Sequence, residues 1–239
     1  FSVFCNGSGA EGSIKASAVM FISNKEVSSL KYHLSLAAEH TVYEAKIVRL
    51  MLGLHLLTSL ACHLHDYTII GSNSQATIQA LKNQCPHPTH YLLDIVHSMA
   101  KNLHQKQDHL LGCTSRQRGQ GQVAPCSQGV VSVHIHWSPS HSSFAPNKWA
   151  DALAKKVAQG SLSSNSSLPT YIHCQQLLIS IPAACQADLV ATQVMWRHRW
   201  KRSPHFQALQ RIDRSLPSKA YLKLTGNLNR YNLAMITQL

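Results

Sequence analysis

Acidic residues are scarce in this 239-residue sequence, with 10 Asp and Glu set against 22 Lys and Arg and a net charge of +12 when His is neutral. Charged residues make up only 13% of the chain. A share near half the norm excludes a solvating tail or a disordered polyampholyte. The cationic excess points to a polyanionic partner, nucleic acid first and an anionic membrane surface second. No apolar run approaches the ~20 residues that a membrane span requires, so no membrane span is expected and nucleic acid, not a membrane, is the expected partner. Seven cysteines are scattered without a CxxC or a pairing with His at zinc spacing. That pattern excludes a disulfide framework and a zinc module, and it reads as reduced thiols in a nuclear or cytoplasmic protein. No Met opens the chain, no signal peptide precedes the first strand pattern, and the last residues stop in mid-pattern. The sequence is therefore expected to be a piece of a longer one. It contains no internal repeat.

The 44% apolar fraction is that of an ordinary globular core. Residues 2–5 (SVFC) read as a short strand closed by the turn cluster Asn6-Gly-Ser-Gly9. Residues 14–22 and 27–34 follow as strands parted by the polar turn 23–26, which makes an antiparallel meander. The period then changes to that of a long, strongly apolar helix over 41–60, where Thr41 and Glu44 have the spacing of a capping box. Residues 67–70 form a buried type of strand ended by Gly71-Ser-Asn73, and a short helix over 74–82 takes Ser72 or Asn73 as its cap. A further helix covers 91–106, and residues 112–129 are aperiodic and read as an exposed loop. A fifth strand spans 130–137, with His134 and His136 alternating onto one face in a structural or surface role. After a Ser/Pro/His loop comes an amphipathic helix over 148–159, ended by Gly160 in the left-handed cap position. Residues 161–168 (SLSSNSSL) read as a flexible linker between a domain over 1–160 and a basic helical extension over 169–239.

Strand ends and helix starts converge on one edge of such a sheet. That edge would gather Asn6, Glu44, Asn73 and Asp151 from distant segments. The matching segments are Phe4-Cys-Asn-Gly-Ser-Gly9, Tyr43-Glu-Ala45, Ile70-Gly-Ser-Asn-Ser-Gln75, Trp137-Ser-Pro-Ser-His141 and Trp149-Ala-Asp-Ala-Leu-Ala-Lys155. In this order, over residues 1–160, the chain resembles type I ribonuclease H, a family that cuts the RNA strand of RNA–DNA hybrids. In texture it looks most like the ribonuclease H region of fungal non-LTR retrotransposons, where a reverse transcriptase precedes the domain. The resemblance implies an α/β fold, a five-stranded mixed sheet flanked by helices with a C-terminal helical extension. It also implies action on RNA–DNA hybrid with Mg²⁺ or Mn²⁺; the sequence leaves the oligomeric state open, with a monomer expected.

In the family, four carboxylates hold two metal ions, one activating water and one stabilising the leaving oxygen. Carried over, Asn6, Glu44, Asn73 and Asp151 stand at the metal positions, and Glu44, Asp151 and the loop histidine His141 have the catalytic roles. Ser8, Ser72 and Ser74 would touch substrate phosphates or 2′-hydroxyls, or else close turns and caps. Two of the four acids are thus neutral amides. An Asn oxygen can coordinate but brings no charge, so the resemblance implies a copy with weak or lost cleavage. Lys46, Arg49 and Lys148 also stand where acidic or small residues are expected. Asp-to-Asn and Glu-to-Lys changes each follow from a single G-to-A step, so decay of a transposon copy explains the set better than deliberate substitution. In the extension, residues 195–202 (MWRHRWKR) interleave aromatics with cations, as nucleic-acid surfaces and docked amphipathic helix ends both do.

Overall fold

A computed structural model of the chain describes residues 1–10, 12–61, 63–64, 67–83, 89–118, 132–139, 145–158, 160–173, 177–204, 206–209 and 226–237. The first three strands, β1 (Ser2–Ala10), β2 (Ser13–Ile22) and β3 (Lys25–Leu36), form the expected antiparallel meander. The β2–β3 turn has positive φ at both Ser23 and Asn24, the signature of a two-residue hairpin whose twist matches its strands. Helix α1 (Val42–Ser59) then crosses to β4 (Tyr67–Ser72), which pairs parallel with β1. Helices α2 (Gln75–Asn83) and α3 (His90–Arg118) lead to β5 (Ser132–Trp137), parallel to β4, and α4 (Ala145–Ala158) follows. The sheet order is 3-2-1-4-5, a five-stranded mixed sheet flanked by helices as the fold class required.

Two local features depart from expectation for identifiable reasons. Residues 6–9 are not a turn: β1 continues through them, with Asn6 opposite Ser17, Gly7 opposite Ala16 and Gly9 opposite Ile14. The glycines serve close approach instead. A Cβ on Gly7 would lie 2.6 Å from the Ala45 carbonyl oxygen of α1, so the bare backbone lets helix and strand touch. Helix α3 is longer than periodicity indicated, taking in residues 107–118 and the start of the aperiodic stretch.

The core lies between α1 and the sheet. Along α1, Ala45, Ile47, Val48, Leu50, Met51, Leu52, Leu54, Leu56 and Leu57 are all buried, because neighbours cover the helix on more than one side. On the other face of the sheet, Ala150 and Leu153 of α4 pack on Phe4, Val19 and Phe21.

The stretch expected as a flexible linker is fastened to the sheet. Lys31 of β3 donates its N–H to Ser163 Oγ (2.9 Å) and accepts from the Ser163 N–H (3.1 Å). Leu168, Ile172, Leu177 and Ala183 beyond it are buried, three of them in the main core cluster. Residues 170–173 form the short α5 (Thr170–His173). The first compact unit accordingly runs to Ala184 rather than to Gly160, and a second unit covers 185–239. Serine-rich composition signals solvation only when the backbone lacks a strand edge to bond, and here β3 supplies one. The second unit contains most of α6 (Ile181–Lys201), α7 (Phe206–Leu209) and α8 (Arg230–Thr237). No helix among the described residues is long and apolar enough to cross a membrane.

Candidate functional site

The register of the central strands creates the site. Cys5 lies opposite Ser72 across the parallel β1–β4 ladder, so the next residue of each strand's run, Asn6 and Asn73, follows at the same end of that ladder. Asn6 also faces Ser17 across β1–β2, and Ser17 Oγ donates a 3.0 Å hydrogen bond to the Ala150 carbonyl of α4. That bond fixes the helix turn carrying Asp151 beside Asn6. Three of the four expected metal positions (Asn6, Asn73 and Asp151) are thus carried by three separate segments on adjoining elements.

Glu44 does not join them. Its Oε2 accepts the Thr41 N–H at 2.6 Å and the Thr41 hydroxyl at 3.1 Å, while its own N–H donates to Thr41 Oγ1 at 3.3 Å, a complete capping box. His40 Nδ1 is 3.6 Å from the same oxygen. Burial pushes the carboxyl up, but the polar groups of His40, Thr41 and Ser180 around it outweigh that and hold it below the usual range. Its charge also acts on Tyr91 at the start of α3. At about 100° per residue, Glu44 points some 160° away from residue 46. The turn of α1 that meets β1 is Ala45–Lys46, against Gly7. A capping motif and a site motif overlap in this stretch of sequence, and the acid belongs to the cap.

What α1 does send to the edge is Arg49, one turn beyond Lys46 on the same helix face. Its side chain is completely buried. Nε donates to the Lys46 carbonyl (3.2 Å), Nη1 to the Cys5 carbonyl (3.1 Å) and to Asn73 Oδ1, and Nη2 to Ser72 Oγ (2.8 Å). Burial lowers its pKa to about 10, with the negative charge of Asp151 opposing the shift, so it remains a cation at neutral pH. Cys5, buried beside it, has its thiol pushed up to about 12 by burial, with Arg49 pulling the other way. Sequence reasoning marked Arg49 as out of place; only the helix phase could have marked it as central.

The remaining site residues divide by burial. Ser72 is committed to Arg49 and to the Ser74 N–H. Ser74, rather than Ser72 or Asn73, caps α2: its Oγ accepts from Thr77 N (3.3 Å) and Thr77 Oγ1 (2.9 Å). Both hydroxyls are buried and occupied, whereas Ser8 is half-buried on β1, two residues past Asn6. His141 lies outside the described residues. His134 and His136 do share a face of β5, with Tyr67 of β4 stacked on one ring at 4.6 Å and hydrogen-bonded to the other at 2.5 Å.

A pair of divalent ions does not fit this donor set. Two such ions carry four positive charges and call for anionic oxygens. At the convergence Asp151 is the one carboxylate among the described residues, and these contain no group of three His, Cys, Asp or Glu able to hold a metal.

No family model matches the chain, and no curated protein matches it in sequence. Among solved structures it is similar to the N-terminal RNase H domain of a Mycobacterium tuberculosis protein, at 16% identity and a TM-score of 0.44, covering 66% of this chain and 94% of that one. It is also similar to RNase H1 of the archaeon Halobacterium salinarum, at 16% identity and 0.41, covering 67% and 98%. A third is the foamy viral protease-reverse transcriptase in complex with RNA/DNA hybrid, at 13% identity and 0.43, where the match covers 67% of this chain and 20% of that protein.

Proposed function

We propose that this chain is a ribonuclease H-type domain of retrotransposon, reverse-transcriptase-associated origin, which binds nucleic acid without cutting it. One observation carries this reading. Asn6 and Asn73 each follow a residue paired across β1–β4, and the α4 turn that precedes Asp151 is hydrogen-bonded to the strand beside Asn6, on the segments where the sequence resembles ribonuclease H; two of these three residues are neutral. On this reading the edge derives from a phosphodiester-cleaving centre and lacks the negative charge that would load it with Mg²⁺ or Mn²⁺. The +12 net charge supports retained affinity for a polyanion, with RNA–DNA hybrid as the family's substrate and an intracellular site of action.

Fluorescence anisotropy with a labelled hybrid and a labelled DNA duplex, in EDTA and in Mg²⁺, tests this reading. The expected result is salt-sensitive binding of the hybrid that is the same with and without Mg²⁺. Binding that appears only when Mg²⁺ is added would contradict it.

A further inference from the structure

We propose that Arg49 is a built-in cation that has taken the place of the metal, tying together the strand and helix ends that a divalent ion would otherwise join. This rests on the reading of the sheet edge given above and concerns what now occupies it. The guanidinium is fully buried, and among the described residues its partners are oxygens: the Lys46 carbonyl on α1, the Cys5 carbonyl on β1, and the Ser72 hydroxyl and Asn73 amide oxygen at the end of β4. Those oxygens come from three segments, so one guanidinium ties α1 to β1 and to the end of β4, where Asn73 stands at an expected metal position. Asp151, on a fourth segment, supplies the charge that acts on it from α4.

The neutral amides make chemical sense beside such a cation. Asn73 still offers an oxygen to the guanidinium, and Arg49 itself supplies positive charge that two metal ions would otherwise have brought. Restoring acids at positions 6 and 73 would therefore not restore a metal centre. The new carboxylate at position 73 would pair with Arg49, since a guanidinium and a carboxylate form a strong charge-assisted contact, and a divalent ion would have to displace a cation covalently tied to α1. Metal binding requires acids to be added and the arginine to be removed.

The test uses the full chain and Mn²⁺ as probe, followed by electron paramagnetic resonance and by thermal unfolding. Three proteins are compared: the unaltered chain, Asn6→Asp/Asn73→Asp, and Asn6→Asp/Asn73→Asp/Arg49→Ala. The expected result is no bound Mn²⁺ for the first two at up to about 10 mM, with an unfolding temperature equal in Mn²⁺ and EDTA, and tight binding with Mn²⁺-dependent stabilisation for the third alone. Binding of Mn²⁺ by the double variant would overturn the proposal and leave the nucleic-acid reading standing. A triple variant that folds by circular dichroism yet holds no Mn²⁺ would overturn the assignment of the sheet edge itself. If the triple variant does not fold, Asn6→Asp/Asn73→Asp/Arg49→Gln takes its place: Mn²⁺ binding by it and not by the double variant is expected, and binding by neither overturns the proposal.

Discussion

Replacing Asn73 by Asp should stabilise the protein, an unusual expectation for adding a charge next to a half-buried position. Arg49 is fully buried and already bonded to the Asn73 side-chain oxygen, so the substitution turns a charge–amide contact into a charge–charge contact with no change of shape. At an effective dielectric of about 20 and roughly 3 Å, the added attraction is about 5 kcal/mol. Desolvating the new carboxylate removes part of this, though position 73 is only half-buried. A net gain of about 1–3 kcal/mol remains, which for a chain of this size raises the unfolding temperature by about 3–10 °C. The pH dependence has a fixed sign. The introduced carboxyl has a folded pKa depressed below its unfolded value near 4, so the gain is complete above that value and disappears as pH falls through the folded pKa. Thermal unfolding followed by circular dichroism in EDTA, near neutral pH and again near pH 3, measures it. A neutral or destabilising effect at neutral pH, or a gain that needs Mg²⁺, would refute the reasoning.

Gly7→Ala should cost about 2 kcal/mol or more in urea unfolding, because its methyl would lie 2.6 Å from the Ala45 backbone oxygen and α1 must move. Glu44→Gln should lose about 1 kcal/mol near neutral pH through the capping box, with no change in Mn²⁺ response. Because the folded pKa of Glu44 is lowered, the difference from the unaltered protein should shrink as pH falls through it. A chain ending at Gly160 should fail to unfold cooperatively, since it loses Leu168, Ile172 and Leu177 from the core at roughly 1.5–3 kcal/mol each, close to the whole stability of a domain. A sharp melt at the full chain's temperature would count against that. With a thiol reagent, Cys185 should react in the folded protein, and Cys5, buried with its thiol pushed up to about 12, only on unfolding.

The elements most legible in sequence were those whose local chemistry and tertiary setting agree. The capping box of α1, the apolar run of α1 and the Gly160 cap, with φ +85°, all appear where the residues indicate, and the hairpin turn expected over 23–26 closes within Ser23 and Asn24. Legibility failed where one residue type serves two purposes. The Gly7 and Gly9 pair has the composition of a turn, yet its role is contact between β1 and α1. Glu44 has the residue type of a metal ligand and the spacing of a cap, and only the rotation of α1 separates the two. Residues 161–168 have the composition of a linker, but an available edge at Lys31 fastens them. Arg49 could be marked as anomalous and no more, because its meaning depends on Cys5, Ser72 and Asn73 arriving together from two strands.

Incubation of the unaltered chain with a labelled RNA–DNA hybrid in Mg²⁺ and in Mn²⁺, with enzyme in excess over hybrid, tests the central claim most directly. The account predicts that the hybrid is bound and its RNA strand stays intact with either ion. Cutting of the RNA strand that EDTA abolishes would contradict it, since it would require two metal ions at an edge where Arg49 already sits.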